Sequence, residues 1–223
     1  IASYGAKVVR TKGNYDDAVR QAAEDAAQQG RFVVSDTSYE GYMDVPKDVM
    51  QGYGVMADEA LAQWPEAELP THVFLQGGVG GLAAAVCAHL WEQLGAKRPR
   101  FVIVEPDKAA CLFESAKQGK PVAVHGELDT VMAGLACGEV SLLAWEILKP
   151  GAQAFLTIDD ESALEAMRIL ADGRFGDAPI VAGESAVAGL VGALAAAGDA
   201  ELRKQLDLNE SSRVLVFGSE GAT

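Results

Sequence analysis

Basic residues are scarce in this sequence. Against 32 Asp and Glu it sets only 18 Lys and Arg, so that the 223-residue chain carries a formal charge of -14 at pH 7. Nothing so acidic can neutralise a phosphate backbone, and nucleic acid is excluded as a partner. Cysteine is as sparse: Cys87, Cys111 and Cys137 form no C-x-x-C, and His72, His89 and His125 are scattered, so the spacing supports no metal site. No apolar stretch reaches the ~20 residues of a membrane span. The longest, Ser185 to Gly198, is interrupted by glycine. No charged-then-apolar leader opens the chain, which reads as cytoplasmic and not membrane-bound. An initial Met is also missing, and the sequence opens at Ile1 with no preceding element. What is abundant is apolar residue, at 49%, and glycine, at 24 positions. That excludes disorder and collagen, and at ~150 residues per domain the length fits one large domain or parts of two.

Apolar periodicity alternates along the chain between the strand and helix periods. Strands are expected at Lys7 to Arg10, Arg31 to Ser35, His72 to Gln76, Arg100 to Glu105, Ala154 to Ile158 and Ser212 to Phe217. Helices are expected at Asn14 to Gln29, Val49 to Gln63, Leu82 to Leu94, Pro106 to Gln118, Asp160 to Ala171 and Val187 to Ala197, with Thr130 to Leu148 mixing helix and glycine turns. Strands alternating with helices predict an α/β fold, a mostly parallel sheet with helices on both faces. Pro65 and Pro70 mark a linker, which divides the chain into residues 1–64, part of a smaller domain with a connecting helix, and 65–223, a larger domain.

The sharpest local signal is Phe74-Leu75-Gln76-Gly77-Gly78-Val79-Gly80-Gly81-Leu82-Ala83, a glycine turn between a strand and a helix. Glycines there let backbone N–H groups converge on an anion at the positive helix end, which points to a phosphate. The motif admits two ligands. Gly78, Gly80 and Ala83 also satisfy the dinucleotide fingerprint, and Glu105 closes the next strand about where a ribose-binding acid belongs.

Seven further segments bear on this choice. They are Gly13 to Val19, Ser35-Asp36-Thr37-Ser38-Tyr39-Glu40-Gly41-Tyr42, Met50 to Gly54, Val104 to Cys111, Asp129 to Glu139, Gly183-Glu184-Ser185 and Ser219-Glu220-Gly221. Together with the glycine turn they resemble, in order and over nearly the whole chain, the diaminopropionate ammonia-lyases. That family has the tryptophan-synthase-β-like fold (fold type II) of pyridoxal phosphate enzymes, and its members convert 2,3-diaminopropionate to pyruvate and ammonia, commonly as homodimers. The resemblance implies that the amides of Gly77, Gly78, Val79, Gly80 and Gly81 hold the cofactor phosphate and that Ser219 sits beside the pyridine nitrogen. It makes Asp36 the candidate acid/base, although Asp36 also fits a plain turn cap. It puts Asp129, Thr130 and Glu184 on the substrate side and Tyr39, Glu40 and Tyr42 in the walls. It also allows a Cys111–Cys137 disulfide and moves Glu105 into a strand-end Glu-Pro motif near the site.

Two family features have no counterpart in the sequence: the Ser-Phe-Lys-like segment with the cofactor-anchoring lysine, and the upstream Gly-Asn-His-type loop. The resemblance is therefore to the C-terminal part of such an enzyme, and the chain alone is expected to be inactive. Another elimination enzyme of the same fold, acting on serine, threonine or a cysteine precursor, and a Rossmann-like nucleotide-binding domain stay open as alternatives.

Overall fold

All five residues from His72 to Gln76 are buried, a pattern that only a strand covered on both faces can sustain. A computed structural model, describing residues 1–65 and 68–221, makes this strand, β1, an inner member of a four-stranded sheet. β2 (Arg100–Pro106) pairs with one of its edges from His72↔Arg100 to Gln76↔Val104. The short β4 (Val214–Val216) pairs with the other from His72↔Val214 to Phe74↔Val216, and β3 (Ala152–Ile158) lies outside β2. The order is β3-β2-β1-β4 and every pairing is parallel.

Alternate residues of β1 and β2 feed two cores. Val73, Leu75, Phe101 and Ile103 face α2 (Asp44–Gln63), α3 (Gly81–Leu94), α4 (Cys111–Gln118) and α5 (Leu142–Gly151), packing with Met50, Ala57, Val86, Leu112 and Leu148. Phe74, Val102 and Val104 face α6 (Asp160–Asp172), α7 (Ala188–Gly198) and α8 (Ala200–Leu206), packing with Ala163, Ala166, Val191 and Leu206. Phe74 and Phe101 have no exposed surface, and burial of a side chain of that size contributes about 2–3 kcal/mol. His72, buried in β1, is held on both ring nitrogens, by Thr71 Oγ1 and by the Leu206 carbonyl, each at 2.8 Å. Its role is structural.

The helices follow their caps. α1 (Tyr15–Gln29) opens on a reciprocal box in which the Asp17 amide donates to Asn14 Oδ1 and the Asn14 amide to Asp17 Oδ2, and it stops at Gly30. α6 begins where Asp159 accepts from the Ser162 amide at 2.7 Å. α4 starts five residues later than its apolar pattern predicts. The Glu105 carboxylate takes the Leu112 and Phe113 amides at 3.0 and 2.7 Å, so the helix can start only at that anchor, and residues 107–110 form a turn instead. α8 is not predicted by apolar spacing; its signal is Asp199, which accepts from the amides of Glu201 and Leu202.

Two predicted strands are absent. Lys7 to Arg10 and Arg31 to Ser35 have no ladder partner, and Val8, Val9, Phe32 and Val34 are exposed. β-branched residues favour a pleated, half-buried surface, and without a neighbouring strand that preference forms no sheet.

Candidate active site

The floor of the site is made where β1 passes through a glycine turn into α3. The Gly77 amide donates to the Val104 carbonyl at 2.8 Å, prolonging the β1–β2 ladder, and the Gly80 amide turns back to the Gly77 carbonyl at 3.2 Å. Neither points outward. The amides of Gly78, Val79, Gly81 and Leu82 have no backbone acceptor among the described residues, and all four residues line a cavity of about 330 Å³. They stand at the N-terminus of a 14-residue helix, where aligned peptide dipoles favour an anion.

Asp36 comes to this floor from a separate loop. A Cβ at Gly81 would lie 2.6 Å from Asp36 Oδ2, so only glycine admits the carboxylate there. Tyr53, on α2, donates to the same oxygen at 3.3 Å. Burial and then the Asp36 charge push the Tyr53 hydroxyl up to about 12, which keeps it protonated and donating. Thr37 Oγ1 lies 2.8 Å from the Tyr15 hydroxyl, tying the Asp36 loop to α1.

The opposite wall comes from the end of the chain. Gln76, only 4% exposed, donates through Nε2 to Ser219 Oγ at 2.7 Å and to the Phe217 carbonyl at 3.0 Å. Its Oε1 is buried with no partner among the described residues. Glu220 Oε2 accepts from the Ser185 amide at 2.7 Å, and Ser185 Oγ accepts from the Gly134 amide at 3.0 Å, which draws the Gly134–Cys137 segment over the cavity.

Of the residues expected from the sequence, Asp36, Gly77, Gly78, Val79, Gly81 and Ser219 share this cavity. The other four sit elsewhere. Gly80 faces inward, where a Cβ would meet Ala144 at 3.0 Å and Leu148 at 3.2 Å. Asp129 is exposed outside the cavity, and Glu184, half-buried, does not line it either. Thr130 is buried with its hydroxyl on Asp160, whose other oxygen pairs with Lys108 at 2.7 Å, so it anchors the loop at a distance from the cavity. Sequence reasoning missed Tyr15, Gln76, Ser185 and Glu220 as lining residues. Gln76 adjoins the glycine turn, and Tyr15, Ser185 and Glu220 lie inside segments that carry the family resemblance, which is the signal that could have found them.

Two further expectations are corrected. Glu105 has no exposed surface and is spent on the start of α4, with its stem against Gly77, so it cannot reach a ribose. Burial pushes its carboxyl up to about 8. Cys111 and Cys137 form no disulfide: both are buried free thiols, and the Cys111 thiol points to the Gly78 carbonyl at 3.4 Å. Desolvation raises the Cys111 thiol, and raises that of Cys137 to about 12, so neither is a ready nucleophile.

These residues fit pyridoxal phosphate. Four amides free of backbone acceptors at a helix N-terminus suit its phosphate, the uncharged Ser219 hydroxyl suits its ring nitrogen, and the buried, unpaired Gln76 oxygen marks a polar residue placed at the site for more than packing. Among the described residues no lysine lines the cavity.

Comparison with known proteins agrees. Residues 1–220 match the family described as "Pyridoxal-phosphate dependent enzyme". Diaminopropionate ammonia-lyase of Escherichia coli strain K12 is 43% identical over 228 residues, covering 100% of this chain and 57% of that protein. The crystal structure of holo diaminopropionate ammonia lyase from Escherichia coli superposes with a TM-score of 0.89 at 41% identity, covering 99% of this chain and 56% of that one. A biosynthetic L-threonine dehydratase of Salmonella typhimurium is 30% identical over 192 residues, covering 86% of this chain and 34% of that protein. The chain thus spans about 57% of the length of the ammonia-lyases it matches.

Proposed function

The chain belongs to the pyridoxal-phosphate dependent enzyme family, and on that premise we propose that its protein is a diaminopropionate ammonia-lyase, releasing pyruvate and ammonia from 2,3-diaminopropionate. The observation that carries this reading is Asp36 held against Gly81, a carboxylate at the edge of the phosphate cradle with Tyr53 donating to it. Pyridoxal phosphate, when bound, supplies an electron sink for charge at the substrate Cα. The protein's own residues do the rest. The amides of Gly78, Val79, Gly81 and Leu82 hold the phosphate, and Ser219 donates its hydroxyl hydrogen to the ring nitrogen. Asp36 takes the Cα proton or holds the β-ammonium group, with Tyr53 and Thr37 keeping the carboxylate oriented. Asp36 and Glu220, both lining the cavity, suit a substrate with two amino groups better than one with a single amino group and a hydroxyl.

The same reading takes residues 1–64 as part of a smaller domain and 65–223 as the cofactor domain of a cytoplasmic homodimer. Among the described residues no helix is long and apolar enough to cross a membrane.

Release of the 2-oxo acid by the full-length, cofactor-loaded protein, pyruvate from 2,3-diaminopropionate and serine and 2-oxobutyrate from threonine, tests the proposal. Turnover of 2,3-diaminopropionate should exceed that of the hydroxy amino acids at least tenfold, and Asp36→Asn should lower it at least a hundredfold. Preference for threonine would favour the dehydratase instead.

A further inference from the structure

An asparagine or glutamine amide is ordinarily ambiguous in orientation, because its oxygen and nitrogen are nearly isosteric. Gln76 is not. The Phe217 carbonyl is an acceptor only, and it lies 3.0 Å from the terminal atom that also meets Ser219 Oγ at 2.7 Å. That atom must be the nitrogen. Its two hydrogens are then both committed, one to the Phe217 carbonyl and one to Ser219 Oγ, while Oε1 is left buried and unpaired among the described residues. Leaving a buried acceptor without a partner is unfavourable, so this orientation is held against a penalty. It has a consequence for Ser219. A hydroxyl has one hydrogen to donate; with its oxygen accepting from Gln76, that hydrogen is directed away from Gln76, and Ser219, an exposed residue, lines the cavity where it can meet an occupant.

We propose that Gln76 is a positioning residue that fixes the polarity of the Ser219 hydroxyl, so that the site presents a hydrogen-bond donor, and not an acceptor, to the ring nitrogen of the cofactor. The inference rests on the proposed function. It explains why a polar side chain occupies the last position of a strand otherwise buried and apolar after His72. A donor at that point holds the pyridine nitrogen unprotonated, whereas a freely rotating serine could accept from the protonated ring as readily as donate to the neutral one.

The test uses pyridoxal phosphate labelled with ¹⁵N at the ring, bound to the protein and to variants. Equilibrium affinity and the ring-nitrogen chemical shift are both followed from pH 6 to pH 9. In the wild type the shift should stay at the neutral-pyridine value throughout. Gln76→Leu should weaken binding about tenfold, as for loss of one oriented hydrogen bond, and should make the shift pH-dependent. Ser219→Ala should do the same, and the double variant should bind no worse than either single one, because the two residues act as one unit. Gln76→Met, closer in length and volume, repeats the measurement if the leucine variant does not fold. Additive losses, about a hundredfold in the double variant, or a ring-nitrogen shift that stays neutral in all variants, would overturn the role of Gln76 while leaving the proposed function intact. If the wild type binds no pyridoxal phosphate, the proposed function fails and this role fails with it.

Discussion

The floor and the walls of the cavity are built in opposite ways. The floor is continuous chain from Gln76 to Leu82, held by the parallel ladder and by the start of α3. The walls come from Tyr15, Asp36, Gly134, Leu135, Cys137, Ser185 and Ser219–Glu220, which span the sequence from position 15 to position 220. They are tied mostly through side chains, with a few backbone bonds such as Ser141 amide to Val79 carbonyl and Gly183 amide to Glu220 carbonyl. Asp16 Oδ2 accepts from the Gly138 amide at 3.0 Å, Ser38 Oγ meets Ser141 Oγ at 2.8 Å, and Ser185 Oγ holds the Gly134 amide. A floor made of backbone is rigid and insensitive to most substitutions. Walls made of polar contacts between distant segments can adjust to a substrate more readily than a continuous turn, and each contact is a place to break them.

That contrast predicts graded effects. The largest loss from a single clash belongs to the floor where it is tightest. A methyl group at Gly77 would overlap the stem of Glu105, which is pinned to α4, so Gly77→Ala should destabilise the protein by about 3 kcal/mol in denaturant unfolding and abolish cofactor binding. An effect below 1 kcal/mol would show the floor to be as adaptable as the walls.

A wall contact should matter less for stability and more for the substrate side. Asp16→Ala leaves the Gly138 amide unpaired in a buried position and should lower stability by about 1.5 kcal/mol. It should raise KM for the amino acid while leaving pyridoxal phosphate affinity within twofold, because the phosphate amides belong to the floor. Equal losses of both affinities would merge the two regions into one.

A different kind of effect is a slope with pH. The folded-state carboxyl of Glu105 is raised by burial from 4.5 to about 8, so between those values the folded protein binds more protons than the unfolded chain. Stability then falls as pH rises from about 4.5 to 8, and this contribution is flat outside that window. Glu105→Gln removes the titration. The difference in unfolding free energy between wild type and variant should therefore decline steadily from pH 5 to pH 8 and level off above it, and a rise over that range would place the charged carboxylate among the stabilising groups of the floor.

Legibility in the sequence divides along the same line. β1 is read at its true limits because five buried residues between a proline linker and a glycine turn admit one interpretation. The anion-binding end of α3 is equally local. Asp36 was singled out only through the resemblance of its loop to a family, since on its own an aspartate before Thr-Ser reads as a turn cap. Gln76 and Glu220 stand inside motifs that the sequence displays, but nothing about a Gln or Glu announces which distant atom it will meet. Thr130 was placed in the site by motif, while the structure gives its hydroxyl to Asp160, and Gly80, inside the motif, turns toward Ala144 and Leu148. The strands expected at Lys7 to Arg10 and Arg31 to Ser35 carried the right residues but no partner.

The amino-acid sequence alone thus determined the parallel α/β sheet, the capped starts of α1 and α6, the phosphate-ready turn and the acidic charge of the chain. These follow from periods, caps and glycines that act within a few residues. Only the tertiary structure decided that Glu105 anchors α4, that two free thiols stay apart, and that Gln76 grips Ser219 across 143 positions of sequence. Such contacts form because folding brings the ends of unrelated elements to the carboxyl edge of one sheet, and no local pattern encodes which side chains will meet there.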